Sequence, residues 1–318
     1  MADMNTRLLT MAAMQGGVFT FDEAATLGLS GDDLTTLVRA GSVTRLRRRA
    51  YVLTQTYAAA DVDEKYRLRV LAVLRSRPRR DAAPQDRASH QSALALHGIA
   101  FFKASRTMVC LESTHGPQRL KDGLRVARRS TAMTFSSRNA RAVSPAAACV
   151  QVAARDGFEA GVCAMDSALH RRKCTTADLE EAVALVARGK RGLVQRTIAF
   201  ADARAESVGE SRTRIILHDS GFSVVPQFEV RDGRSVLGRV DFLVDGCVVV
   251  EFDGLIKYEK YEGKYAIGAE KQREKEIRRL GYEFVRIVWS ELDDPLSIAR
   301  QVIEAKRDAQ RRGILATI

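Results

Sequence analysis

The segment GRVDFLVDGCVVVEFDGLIK, residues 238–257, carries the strongest structural signal in the chain. Two apolar, mostly β-branched runs, 240–244 and 247–252, flank the dipeptide Asp245-Gly246. Asp-Gly between such runs is typical of a β-hairpin with a two-residue turn. We therefore predict two antiparallel strands that pivot on this dipeptide.

Three acidic residues interrupt the two strands: Asp241, Glu251 and Asp253. Residues two apart in a strand share a face, and the hairpin brings Asp241 within one residue of Glu251. Carboxylates in apolar surroundings need a partner, and clustered negative charges favour a cation. Oxygen ligands suit Mg²⁺ or Mn²⁺, so the trio is a candidate metal site. The alternative is a hairpin whose acids lie on its solvated face.

Composition indicates a folded protein without a membrane partner. The 318 residues suit two or three domains, and 46% hydrophobic with 28% charged residues fits a globular chain. The sequence holds no apolar run of about 20 residues and no signal-peptide pattern at its start. Its five cysteines are scattered, without Cys-x-x-Cys, which favours reduced thiols in the cytoplasm over a zinc module.

The charge balance predicts double-stranded DNA as the partner. The net charge is +12 at pH 7, and a strongly basic chain attracts polyanions. Between residues 61 and 141 there are 17 Lys and Arg against 7 Asp and Glu, an excess of 10. This middle region is either a second nucleic-acid surface or a surface for an acidic protein. An arginine-rich genome composition accounts for some of the charge but not for its clustering.

The first 57 residues have the layout of a winged helix-turn-helix. Helices are predicted at 5–15, 21–27 and 31–40, and a basic hairpin follows at 42–53. The third helix starts with two acids and carries Arg39 as its only cation, so we expect phosphate contacts to dominate over base readout. The predicted contacts are Arg39 and the wing residues Arg45, Arg47, Arg48 and Arg49. The alternative is a winged helix that contacts only protein.

Residues 58–204 are predicted to form a mixed α/β, mostly helical domain. Ala-rich helices fill 146–201, and strands are predicted only at 107–111 and 123–128. His90 and His97 lie seven residues apart on one helix face, a pattern more typical of core or capping histidines than of metal ligands.

Residues 205–318 are predicted to form an α/β domain. A helix at 207–220 precedes a strand at 222–230 and the hairpin, and a charged helix at 266–280 precedes a strand at 282–288. This order resembles the restriction-endonuclease-like PD-(D/E)xK fold, and more closely the very-short-patch-repair-like domains of actinobacterial proteins. The resemblance is carried by Glu210, Asp241, Glu251-Phe-Asp253-Gly254, Lys257-Tyr258, Glu270-Lys271-x-Arg273-Glu274 and Gly281-Tyr-x-x-Val-Arg286-x-x-Trp289.

The nuclease resemblance implies metal-dependent hydrolysis of DNA. Asp241, Glu251 and Asp253 then ligate Mg²⁺ or Mn²⁺, and Glu210 contacts the metal through water or orients the nucleophile. Asp253 stands where the family motif has lysine, so Lys257 or Lys271 must stabilise the developing charge. The resemblance implies that Gln272 and Arg273 orient the DNA backbone.

The first two-thirds of the chain resemble the AbiEi family of type IV antitoxin-like proteins. The resemblance is carried by the winged helix, Arg48-Arg-Ala-Tyr51-Val-Leu53 and Ser92-Ala-Leu-Ala-Leu-His97-Gly98. It implies an alternative function, a DNA-binding repressor with an inactive nuclease fold and a cognate toxin as partner. A third possibility is an interaction module that binds another protein in phage defence.

Overall fold

The computed structural model of the chain describes residues 2–77, 86–114, 118–137, 140–254 and 263–312. It divides into two compact units, Met1–Ala201 and Asp202–Ile318. We predicted boundaries after residues 57 and 204. The division falls just before the second of these, and the winged helix and the middle region lie in one unit.

The N-terminal part is a winged helix, as predicted. The first strand pairs with the third, which pairs with the second, all antiparallel. The second and third helices each begin with a capping box, on Thr20 and Ser30. The elements are α1 (Ala2–Met14), β1 (Val18–Thr20), α2 (Phe21–Thr26), α3 (Gly31–Arg39), β2 (Val43–Arg47) and β3 (Ala50–Leu53).

The middle region contains a six-stranded mixed sheet, whereas we predicted a mostly helical domain with two strands. The four missed strands are only three to four residues long, and three of them carry charges, so they lack the apolar alternation that identifies a strand. Its elements are α4 (Thr54–Ala59), α5 (Val62–Ser76), β4 (Asp86–Ala88), α6 (His90–His97), β5 (Val109–Ser113), β6 (Arg119–Lys121), β7 (Leu124–Arg128), β8 (Thr134–Ser137), β9 (Ala140–Val143), α7 (Pro145–Asp156), α8 (Phe158–His170), α9 (Thr176–Ala182) and α10 (Arg188–Phe200).

The winged helix and the middle region share a hydrophobic core. Val18 and Val52 from the wing sheet belong to the same buried cluster as Tyr66 and Leu71 of α5. Apolar surface on both sides is removed from water only when the two parts pack, which accounts for their forming one compact unit.

The C-terminal unit has three layers. Its sheet order is β10-β11-β12-β13, and β12 pairs in parallel with β13 across a helical crossover. Ile216 and Val302, from the first and last helices, pack on one sheet face, and Ile277 of the central helix packs on the other. The elements are α11 (Val208–Asp219), β10 (Val224–Asp232), β11 (Ser235–Val244), β12 (Val248–Asp253), α12 (Gly263–Arg279), β13 (Glu283–Val288) and α13 (Pro295–Arg312).

The predicted hairpin forms, with a register one residue away from the expected one. Asp245 and Gly246 take φ values of 47° and 72°, and the Cys247 N–H donates to the Val244 carbonyl over 3.1 Å. Val244 aligns with Val248, so three residues connect the strands. Extending this register places Asp241 directly opposite Glu251, on the same sheet face.

In the parts of the chain that the structure describes, no helix combines the length and the apolar composition that crossing a membrane requires.

Candidate functional site

The wing projects cations at its tip. Strands β2 and β3 are joined by Arg48-Arg49, and the register shifts between Arg45 and Arg47, as at a β-bulge. Bulges re-aim side chains, and Arg45 and Arg48 are exposed. These two guanidinium groups are therefore placed to meet a phosphate backbone.

The other two wing arginines are partly committed to the fold. Arg49 forms an ion pair with Asp22 and lies over the Phe21 ring, 5.3 Å from its centroid. Its carbonyl accepts the Phe21 N–H over 3.1 Å, so the wing tip is tied to the start of α2. Arg47 is half-buried, and burial followed by repulsion from Arg77 lowers its pKa. We therefore expect Arg47 and Arg49 to contribute less to DNA binding than the sequence predicts.

Helix α3 presents a mixed surface. Ser30 and Asp33 bond reciprocally in the capping box, and these hydrogen bonds lower the pKa of Asp33. A carboxylate kept ionised at the start of a recognition helix repels phosphate. Thr36 and Arg39 are exposed further along the helix. The dominance of wing contacts over base readout stays a prediction.

In the C-terminal unit, the predicted metal ligands are paired with arginine. Glu251 Oε1 accepts a hydrogen bond from Arg273 Nη2 over 2.7 Å, and Glu251 Oε2 lies 3.5 Å from Arg286 Nη2. Asp253 Oδ2 lies 3.4 Å from Arg286 Nη1. Asp241 Oδ2 accepts the Phe252 N–H over 2.8 Å. Glu251 and Asp253 share a sheet face, as their spacing predicts, and guanidinium groups provide the neighbouring positive charge.

Glu210 acts as a local capping residue in this structure. It is buried, and its carboxylate accepts hydrogen bonds from Ser207 Oγ, the Glu206 N–H and Gln227 Nε2 over 2.8, 3.0 and 3.0 Å. Gln227 has a φ of 53°, rare for a strand residue, and the register puts it opposite Asp241. Gln227 was not among the residues that we singled out, because nothing in its sequence context marks the unusual backbone.

The two lysines proposed to stabilise charge are not placed beside the acids by any described contact. Lys257 lies outside the described residues. Lys271 and Gln272 are exposed, and Gln272 Nε2 donates to Glu276 over 2.8 Å. Helix α12 turns Glu270, Arg273, Glu274 and Ile277 toward the sheet, at the i, i+3, i+4, i+7 spacing of one helix face.

This arrangement does not fit a divalent metal. Within the described ranges, no three or more His, Cys, Asp or Glu side chains are placed to hold an ion. The oxygens of Glu251 and Asp253 that face the central helix already accept guanidinium contacts.

The pKa of Glu251 is raised. Burial is the main cause, and the nearby Glu270 adds to it, whereas Arg273 and Arg286 oppose it. Desolvation of this half-buried strand position therefore has a larger effect on the pKa than repulsion from Glu270.

Arg286 contacts Glu251 and Asp253, although the sequence assigned it no role. It lies on β13, where the parallel register aligns it with Glu251. The alternation in residues 282–288 indicates a strand, but a strand pattern does not tell which neighbour it pairs with. The contact between Arg286 and Glu251 can therefore be predicted only when the order of the strands in the sheet is known.

Comparison with known proteins supports the predicted AbiEi-like N-terminal region. Residues 7–54 match the model of a family described as a transcriptional regulator, the AbiEi antitoxin. Two uncharacterized proteins, from two strains of Mycobacterium tuberculosis, are each 31% identical over 151 residues, 46% of this chain and 54% of theirs. The chain thus spans about half the length of these curated relatives. The matched family region contains the winged helix and its exposed arginines, and the resemblance of residues 205–318 to a nuclease stays a prediction.

Proposed function

We propose that this chain is a DNA-binding transcriptional regulator of the antitoxin type. The observation that carries the proposal is the exposed pair Arg45 and Arg48 at the tip of a wing that is fixed by strand pairing and by the Arg49–Asp22 ion pair. The family match over the same residues supports it. A cognate toxin or another defence protein is the second class of partner that we propose.

The wing contacts the sugar-phosphate backbone, and α3 lies in the major groove. Arginine forms bidentate bonds to phosphate, and such contacts position the protein without reading sequence. Thr36 and Arg39 are the exposed side chains of α3 that we assign to base edges. Strong affinity with modest sequence preference follows from this division of contacts.

Replacing Arg45 and Arg48 together by alanine tests the proposal. Each lost phosphate contact lowers the slope of log K against log salt by about 0.9, so the loss of two contacts should reduce affinity roughly 30-fold near 0.15 M salt. Fluorescence anisotropy with a labelled duplex at several salt concentrations measures both quantities.

The matched control is Arg188→Ala with Lys190→Ala, which removes two exposed cations from α10 in the same unit. It should leave the slope nearly unchanged. An equal loss of slope in the control would assign binding to overall charge, and an unchanged slope in the wing variant would refute the proposal.

Metal-dependent DNA cleavage by the C-terminal unit is the second candidate function. The order of Glu210, Asp241 and Glu251 along a helix and two strands favours it. It requires Arg273 and Arg286 to release carboxylate oxygens that they contact. We therefore expect supercoiled plasmid to remain intact with Mg²⁺ or Mn²⁺. Cleavage by the wild type that Glu251→Gln abolishes would establish the nuclease instead.

A further inference from the structure

We propose that Arg273 and Arg286 take the place of a divalent cation in the C-terminal unit, so that its carboxylates are held by guanidinium groups and bind no Mg²⁺ or Mn²⁺. We call this set the arginine–carboxylate cluster. It comprises Glu251, Asp253, Glu270, Glu274, Arg273 and Arg286. The inference concerns this unit alone and is independent of DNA binding by the wing.

The surroundings of the Arg273 side chain match the shape and the donors of a guanidinium group. Its Nη2 donates to Glu251 and to Glu270, each over 2.7 Å, and its Nη1 donates to the Arg239 carbonyl over 3.1 Å. Nε contacts the second oxygen of Glu270 over 3.1 Å. A Cβ on Gly238 would come within 3.0 Å of Arg273 Cδ, so the glycine leaves room for the aliphatic stem. These contacts use the planar fork of donors, which a spherical cation does not possess.

Arg286 reaches four carboxylates from the neighbouring strand. Its Nη2 lies 3.0 Å from Glu274, 3.2 Å from Glu270 and 3.5 Å from Glu251, and its Nη1 lies 3.4 Å from Asp253. The backbone fixes its position, because the parallel pairing sets Arg286 beside Glu251. The carboxylates raise the pKa of Arg286 further, so it keeps its charge.

Guanidinium groups compensate part of the negative charge of the cluster. Two guanidinium groups face four carboxylates, and Arg278, 2.9 Å from Glu274, adds positive charge that it shares with Glu283. A divalent ion at Glu251 must displace Arg273 or Arg286, and a half-buried guanidinium group then loses partners. Desolvating a charge without a partner is unfavourable, so the network resists exchange of arginine for metal.

The inference is tested by titrating the full chain with Mn²⁺. Electron paramagnetic resonance measures binding as a decrease in the signal of free Mn²⁺. The wild type should show no site that Glu251→Gln removes. The double variant Arg273→Gln with Arg286→Gln should gain an Mn²⁺ site that Glu251→Gln removes, with binding at least roughly 10-fold tighter than any residual binding to the wild type, because two cations beside the same oxygens are removed. The matched control, Lys275→Gln, removes an exposed cation from the same helix and should behave as the wild type.

A wild-type Mn²⁺ site that is lost in Glu251→Gln would overturn the inference, and so would a folded double variant with no gain in Mn²⁺ affinity. Fluorescence of Trp289, the only tryptophan of the chain, reports whether this unit remains folded. If the double variant unfolds, Mn²⁺ titrations of Arg286→Gln alone and of the wild type still test the inference. The DNA-binding measurement uses wing variants, so failure of one proposal leaves the other standing.

Discussion

Replacing Arg87 by methionine should destabilise the N-terminal unit by about 3–5 kcal/mol, because it leaves a buried carboxylate without its partner. Arg87 and Glu112 are 1% and 3% exposed. Nη2 of Arg87 contacts Glu112 Oε2 over 2.6 Å, and Nε reaches the same oxygen over 3.0 Å. The pair joins β4 to β5 across the centre of the six-stranded sheet.

The surrounding hydrogen bonds make the loss larger than that of an exposed ion pair. Arg87 also donates to the carbonyls of Ala132 and Ser130, over 2.6 and 2.9 Å, and Glu112 accepts from Gln151 Nε2 over 2.7 Å. Removing the guanidinium group therefore leaves several buried polar atoms without this hydrogen-bond partner. Each unsatisfied buried group costs about 1–3 kcal/mol.

Urea unfolding followed by far-ultraviolet circular dichroism measures the effect. The double variant Arg87→Met with Glu112→Leu is the matched comparison, since it removes both charges. We expect it to be more stable than Arg87→Met alone, because no buried charge is left unpaired. A loss below about 1 kcal/mol for the single variant, the range of an exposed pair, would contradict the buried network.

The winged helix and the acidic hairpin were predictable because their signals are local. Capping residues at Thr20 and Ser30, and Asp245-Gly246 at a turn, determine backbone geometry within a few residues. The position of Glu251 and Asp253 on one face follows from strand periodicity alone. These features needed no knowledge of distant contacts.

The partners of those residues were not predictable, since they depend on pairing between distant segments. Asp245-Gly246 fixes where the chain turns but not whether two or three residues connect the strands, and one residue decides what faces Asp241. Strand β4 was missed because its central residue is Arg87, whose burial depends on Glu112, 25 positions away. Likewise, the sequence indicated that the acids need a cation without indicating that Arg273 and Arg286 supply it.

The N-terminal unit should also be sensitive to acid through His90. Burial, followed by repulsion from Arg155, lowers the pKa of His90 to about 3. Asp156 opposes this shift, and Arg125 adds to it. The unfolded chain binds the proton at a pKa of about 6.5. The contribution of His90 to folding stability is therefore fully present above pH 6.5 and declines as the pH falls toward 3. In that range the unfolded state binds a proton at His90 and the folded state does not.

Replacing His90 by asparagine should remove this dependence. One such histidine changes the free energy of unfolding by about 1.4 kcal/mol per pH unit. Lowering the pH from 6.5 to 4 should therefore reduce the free energy of unfolding of the wild type by roughly 3 kcal/mol through His90, and the variant should not show this reduction. Asparagine also suits the backbone, because His90 has a φ of 49° and asparagine tolerates that region better than most residues. Stability from urea unfolding at pH 7, 6, 5 and 4 gives the two slopes. The matched control is His170→Asn, which makes the same substitution at an exposed histidine of α8. Parallel slopes for the wild type and His90→Asn would show that His90 is protonated in the folded protein, and the acid sensitivity would then belong to other groups.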